Sequence, residues 1–124
     1  MKLNSYIKSI LEFLHEEKVQ LDPLPKVTLS KNLDEAKNPL GKTGYYEPNS
    51  NRIVIYTEGR HPKDILRSFV HELMHHNQKL RLGKLDVNTE NVNKSTFLEK
   101  IEADAYLRGN MFFRKWENKY KDTK

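Results

Sequence analysis

Residues 61 to 83 constrain the fold more than any other stretch of this chain. Ile65, Leu66, Phe69, Val70, Leu73 and Leu80 recur at helical spacing, and together they spread over more of the helix surface than a single stripe would. A helix this apolar on so many sides belongs in the middle of a protein, with the other elements packed around it. Its limits are marked too. Pro62 stands at a first-turn position where its missing N–H costs nothing, Asp64 where the helix dipole favours an anion, and Gly83 where a helix stops.

Within this helix lies Phe69-Val70-His71-Glu72-Leu73-Met74-His75-His76-Asn77, an H-E-x-x-H arrangement. His71 and His75, four residues apart, sit one above the other on the same face, so both imidazoles can reach one metal ion. Glu72 is rotated by about 100° from His71 and flanks such an ion, where a base for a metal-activated water belongs. The same residue types occur on exposed helices as plain polar surface; here apolar flanks argue for a site. His76 is turned about 100° from His75, which makes it a surface group or one that supports a ligand from behind.

Catalytic zinc normally takes three protein ligands and keeps a fourth position open. The chain has no cysteine, so disulfides, thiolate metal sites and cysteine nucleophiles are excluded together. The third ligand must be a carboxylate or a histidine from another element, and Glu99, Glu102 and Asp104 are offered by a last helix. Thr96-Phe97-Leu98-Glu99 fits a capping box, which occupies Glu99 with the backbone and leaves Glu102 as the preferred ligand, Glu99 being the alternative.

The remaining elements read as follows. Leu3, Ile7, Ile10, Leu11 and Leu14 give an amphipathic helix over 3–18, with His15 partly exposed beside its stripe. Asp22-Pro23-Leu24-Pro25 ends it. A short strand over 26–29 follows, then a connection over 30–44 with one helical turn around Leu33 to Lys37. Thr43–Tyr46 and Arg52–Thr57 form a hairpin through a turn at Glu47-Pro48-Asn49-Ser50-Asn51. After a polar loop over 84–94, Ser95 or Thr96 caps a helix running through Tyr106. Gly109-Asn110 marks a bend before Phe112, Phe113, Trp116 and Tyr120, whose helical spacing suits core packing better than base stacking. The expected fold is α+β, in one domain over 1–124: a sheet of about three strands on the H-E-x-x-H helix, completed by an N-terminal helix and a glutamate-bearing C-terminal helix.

His71-Glu72-Leu73-Met74-His75, followed downstream by Glu102-Ala103-Asp104-Ala105-Tyr106, resembles the gluzincin metallopeptidases, most nearly the minimal single-domain ones related to SprT-like and ImmA/IrrE-type peptidases, some of them carried by phages. The likeness covers Gly44 to Tyr106, about half the chain, including the hairpin before the helix. It implies a zincin-like fold and a zinc-dependent peptidase. Zn²⁺ would be bound by His71, His75 and Glu102, with Glu72 as general base. Asp104 would orient a histidine, and the strand Ile53 to Tyr56 would be the edge along which a peptide substrate lies. Tyr106, Tyr46 and Arg108 are candidates to stabilise the oxyanion.

Composition narrows the alternatives. With 22 Lys+Arg against 17 Asp+Glu the formal charge is +5, but no block of five or six like charges appears, so a solvated surface is expected rather than a nucleic-acid interface. The N-terminus lacks the apolar core of about 7 to 15 residues of a signal peptide, and no run approaches a membrane span. A soluble, cytoplasmic protein acting on a protein or peptide is the expectation, its oligomeric state open. The competing reading is a catalytically silent, zinc-stabilised module of the same fold that binds a protein or DNA-associated partner.

Overall fold

The computed structural model describes residues 3–31, 43–83 and 94–122. They form helices α1 (Leu3–Glu16), α2 (Pro62–Leu82) and α3 (Lys94–Asp122) and strands β1 (Lys26–Ser30), β2 (Gly44–Glu47) and β3 (Arg52–Tyr56). The expected turn around Leu33 to Lys37 and most of the 84–94 loop lie outside the described residues. Among the described residues no helix is long and apolar enough to cross a membrane.

The protein is α+β, with a small mixed sheet in the order β1-β3-β2. β2 and β3 pair antiparallel as the hairpin, with Tyr46 opposite Ile53. β1 runs parallel to β3 on its other side, Val27 opposite Ile53 and Leu29 opposite Ile55. Ile53-Val54-Ile55 is therefore the central strand and is buried throughout, as expected for a strand covered on both faces. This corrects the expectation that Ile53 to Tyr56 is a free edge: both sides of β3 are already hydrogen-bonded, and β2 is an outer strand.

α2 begins as its sequence dictates. His61 is the N-cap, in extended conformation, with Nδ1 accepting from the Lys63 N–H at 3.0 Å, and Gly83 closes the helix at φ 84°. Its apolar residues pack against α1, α3 and the sheet, so every residue from Glu72 to Gln78 is buried. α1 contributes Ile7, Ile10, Phe13 and Leu14. It stops two residues earlier than the spacing suggests. There Lys18 takes φ 62°, its N–H donates to the His15 carbonyl, and the Val19 N–H donates to the Leu14 carbonyl, a Schellman closure.

α3 departs most from expectation. It starts at Lys94, ahead of both Ser95 and Thr96, the two residues expected to cap it, and it continues unbroken through Gly109-Asn110 to Asp122. The helices come close there: a Cβ at 109 would lie 3.4 Å from His71 Cα, leaving room for little more than a methyl group. Beyond it Phe113 and Trp116 enter the core, and Trp116 Nε1 donates to Ser9 Oγ of α1 at 3.0 Å.

Candidate metal centre

Two turns of α2 and one side chain of α3 make the site. His71 and His75 stand with ring centroids 4.9 Å apart. Facing them across the helix pair, Glu102 sets Oε2 at 3.5 Å from His71 Nε2 and Oε1 at 3.0 Å from His75 Nε2. One ligand atom from each of the three lies within 4.8 Å of the others. An ion with tetrahedral bonds of about 2.0–2.2 Å spaces its ligand atoms roughly 3.3 Å apart, and the two carboxylate–imidazole separations of 3.5 and 3.0 Å match that spacing. Glu99, the alternative third ligand, is exposed and outside this group.

Hydrogen bonding decides which nitrogen of His75 faces Glu102. Gln78 Nε2 donates to the Ile101 carbonyl at 2.9 Å and to Asp104 Oδ2 at 2.8 Å. Both partners only accept, so the Gln78 amide has one acceptable orientation. Its Oε1, 2.8 Å from His75 Nδ1, must then accept from that nitrogen. A neutral His75 thus presents a bare Nε2 lone pair to a carboxylate oxygen at 3.0 Å. Two acceptors at that distance attract only with a positive charge between them, either a proton or a metal ion.

Asp104 anchors this arrangement. Arg108 grips it with Nε to Oδ1 at 2.9 Å and Nη2 to Oδ2 at 2.8 Å, while Arg108 Nη1 reaches Asn77 Oδ1 at 3.0 Å and Asn77 Nδ2 donates to the Gln20 carbonyl. Burial alone would raise the Asp104 pKa, but hydrogen bonds from Arg108 and Gln78, with the charges of Arg108 and Arg81, hold it below the ordinary aspartate value. Asp104 thus orients His75 through Gln78 rather than directly. Gln78 and Asn77 went unnoticed in the sequence; the available signal was the His75-x-x-Gln78 spacing, which puts the amide on the histidine's own face.

His71 has its pKa lowered, mainly by burial and then by the charge of His75, against an opposing pull from Glu102. The neutral imidazole, the form that ligates metals, is favoured. Glu72 is 8% exposed on the turn between the histidines.

His76 is neither a surface group nor a support for a ligand. It is buried, Nε2 donating to the Leu21 carbonyl at 2.8 Å and Nδ1 2.9 Å from Tyr46 Oη. With α2 in the centre of the fold, the face next to the histidine pair meets β2 and the α1–β1 connection instead of solvent. His15 is exposed, as expected.

Of the three oxyanion candidates, Arg108 is engaged with Asp104 and Asn77, and Tyr46 with His76. Tyr106 remains, exposed, one turn beyond Glu102, on the wall of a cleft of about 470 Å³ that opens beside His71. Thr43, just before β2, also lines it. The group His71, His75 and Glu102 can hold a metal ion, and the site is open to solvent on the Glu102 side. No family model, no curated protein and no solved structure matches the chain.

Proposed function

We propose that this chain is a zinc-dependent peptidase of gluzincin type with a zincin-like fold, hydrolysing peptide bonds in a protein or peptide substrate. The observation that carries the reading is the meeting of two imidazole Nε2 atoms, four residues apart on a buried helix, with a single carboxylate from the next helix. His71, His75 and Glu102 would hold the ion, and a divalent ion so held supplies Lewis acidity for the scissile carbonyl and for a water. Glu72 accepts the proton of the attacking water and returns it to the leaving amine. Tyr106 donates to the carbonyl oxygen as negative charge develops there. Substrate enters through the cleft beside His71 and lies against β2, the outer strand that starts at its rim, in the manner of strand addition.

A second reading, a metal-stabilised binding module without hydrolysis, draws on the 8% exposure of Glu72, since a walled-off carboxylate would not reach a water. Elemental analysis of untagged protein and a peptide-library digest separate the two. Wild type should carry one zinc per chain, kept by Glu99→Ala and lost by Glu102→Ala, and Glu72→Gln should keep zinc but lose hydrolysis by about 10²-fold or more. Zinc without hydrolysis in wild type selects the module; no zinc in wild type removes both readings.

A further inference from the structure

The cleft beside His71 has walls unlike those of an apolar side-chain pocket. It follows α2 from His71 towards the helix N-terminus and is lined there by Arg60, Asp64, Arg67 and Ser68. At about 470 Å³ it accepts one or two side chains of an extended peptide.

The two arginines play different parts. Arg60 is a fixture: Nη1 donates to the Thr43 and Tyr56 carbonyls, and Nη2 to the Asp64 carbonyl and Ser68 Oγ, at 2.7 to 3.0 Å. These acceptors are neutral, so it ties the sheet to the start of α2 and keeps its positive charge in the cleft wall, where the Asp64 carboxylate balances part of it. Arg67 is poised rather than bound. Its guanidinium lies over the Phe113 ring, 5.3 Å from the centroid, and its ion pair with Asp64 is a single 3.5 Å contact, too long for a good hydrogen bond. The ring holds the fork in place, and among the described residues most of its donors stay available, the condition for bidentate capture of a carboxylate.

Spacing along α2 connects this fork to the metal centre. Arg67 precedes His71 by four residues and shares its face, with Cβ atoms about 5–6 Å apart. Both residues line the one cleft, so a peptide whose carbonyl lies at His71 runs past Arg67 within a residue or two. We propose that the cleft is a subsite for a carboxylate of the substrate, read by Arg67, so that the peptidase prefers bonds beside an acidic residue or close to a free C-terminus. This rests on the peptidase reading above, and the test keeps the two apart.

The test uses the zinc-loaded 124-residue chain and matched peptides carrying Glu, Gln or Lys near the cleaved bond, each with a free or an amidated C-terminus. The ratio of kcat/KM for Glu over Gln peptides, or for free over amidated C-termini, should exceed 10 in wild type. Arg67→Ala should reduce that ratio by about 10- to 100-fold, the loss of a charge-assisted hydrogen-bonded pair. Arg67→Lys should restore part of it, and Arg67→Glu should turn the preference towards Lys. The Glu/Gln arm and the terminus arm identify which carboxylate is read. Binding of the same peptides to the Glu72→Gln protein, followed by fluorescence anisotropy, gives a readout independent of turnover and should show the same ratios. Cleavage without a carboxylate preference, or a preference that Arg67→Ala leaves intact in a folded, zinc-replete protein, overturns the proposal. Arg67-dependent binding of carboxylate peptides without any cleavage sustains it while removing the peptidase reading. The absence of both cleavage and carboxylate-selective binding removes both.

Discussion

Gln78 is the residue whose substitution says most about how the centre is built. It touches no metal ligand atom, yet it selects the tautomer of His75 by accepting from Nδ1 and is itself locked by Ile101 and Asp104. Groups that orient a ligating histidine from behind are worth about 10- to 100-fold in metal affinity. Gln78→Leu preserves approximate volume and removes the acceptor, so zinc affinity measured by competition with a chromophoric chelator should weaken by that factor. An unchanged affinity would mean that Glu102 and the helix backbone alone fix the ring. Motif spacing made the meeting of His71 and His75 legible in the sequence, because two residues one turn apart on a helix need no tertiary knowledge to be placed together, whereas Glu102, on a separate helix, was singled out by the family resemblance and by a capping argument that fails where α3 starts at Lys94. Gln78, Asn77 and the true role of His76 were not legible for a complementary reason. Their partners, the Ile101, Gln20 and Leu21 carbonyls and the Tyr46 hydroxyl, come from distant segments, and no local pattern announces a backbone carbonyl.

Between elements, the crossing of α2 and α3 at Gly109 sets the distance across which Glu102 must reach. A Cβ there would meet His71 Cα at 3.4 Å, the His71 nitrogen at 3.6 Å and Met74 Cγ at 3.8 Å. Alanine is thus tight but tolerable, and its better helix propensity, worth about 0.5–1 kcal/mol over glycine, offsets some of the crowding. Valine adds two methyl groups against backbone that cannot yield, so α3 must shift outward. Gly109→Val should lower the thermal midpoint and weaken zinc binding, whereas Gly109→Ala should leave both close to wild type. If valine costs stability but leaves zinc affinity unchanged, the crossing is structural only. Read from sequence, Gly109-Asn110 looked like a bend, because glycine and asparagine weaken a helix in isolation; the close approach that favours a small residue belongs to the pair of helices. The same distinction explains the sheet. The β2–β3 hairpin was visible from its turn residues, while the parallel pairing of β1 with β3 depends on a connection whose course local patterns do not specify. α2, with a cap, a stop and apolar residues on many sides, was legible almost to the residue.

For the whole molecule, protons and metal compete for the same groups, which fixes the sign of the pH response. The folded pKa of His71 lies below its ordinary value near 6.5, chiefly through burial. The unfolded chain therefore binds more protons than the native one as pH falls, and stability rises with pH in this range. His71's contribution is fully present above about pH 6.5 and is lost as pH drops through the lower folded value. Asp104, also depressed, adds a contribution present above its ordinary value of 3.8 and lost only in stronger acid. Metal binding steepens the first step, because an ion that binds only the native state adds RT ln(1 + [M]/Kd), about 2.7 kcal/mol at a hundredfold excess over Kd, and Kd itself rises as protons compete for the ligand atoms. Thermal unfolding followed with and without zinc should show a large zinc-dependent increase in Tm at pH 7.5 that shrinks towards zero by about pH 5. A chelator should remove the increment without unfolding the protein at pH 7.5, since the core of Leu14, Ile53, Ile55, Phe69 and Leu73 is formed by apolar packing that needs no ion. Unfolding by chelator alone would make the centre a structural staple, in which case Glu102→Ala should destabilise the chain as severely as a cavity in that core.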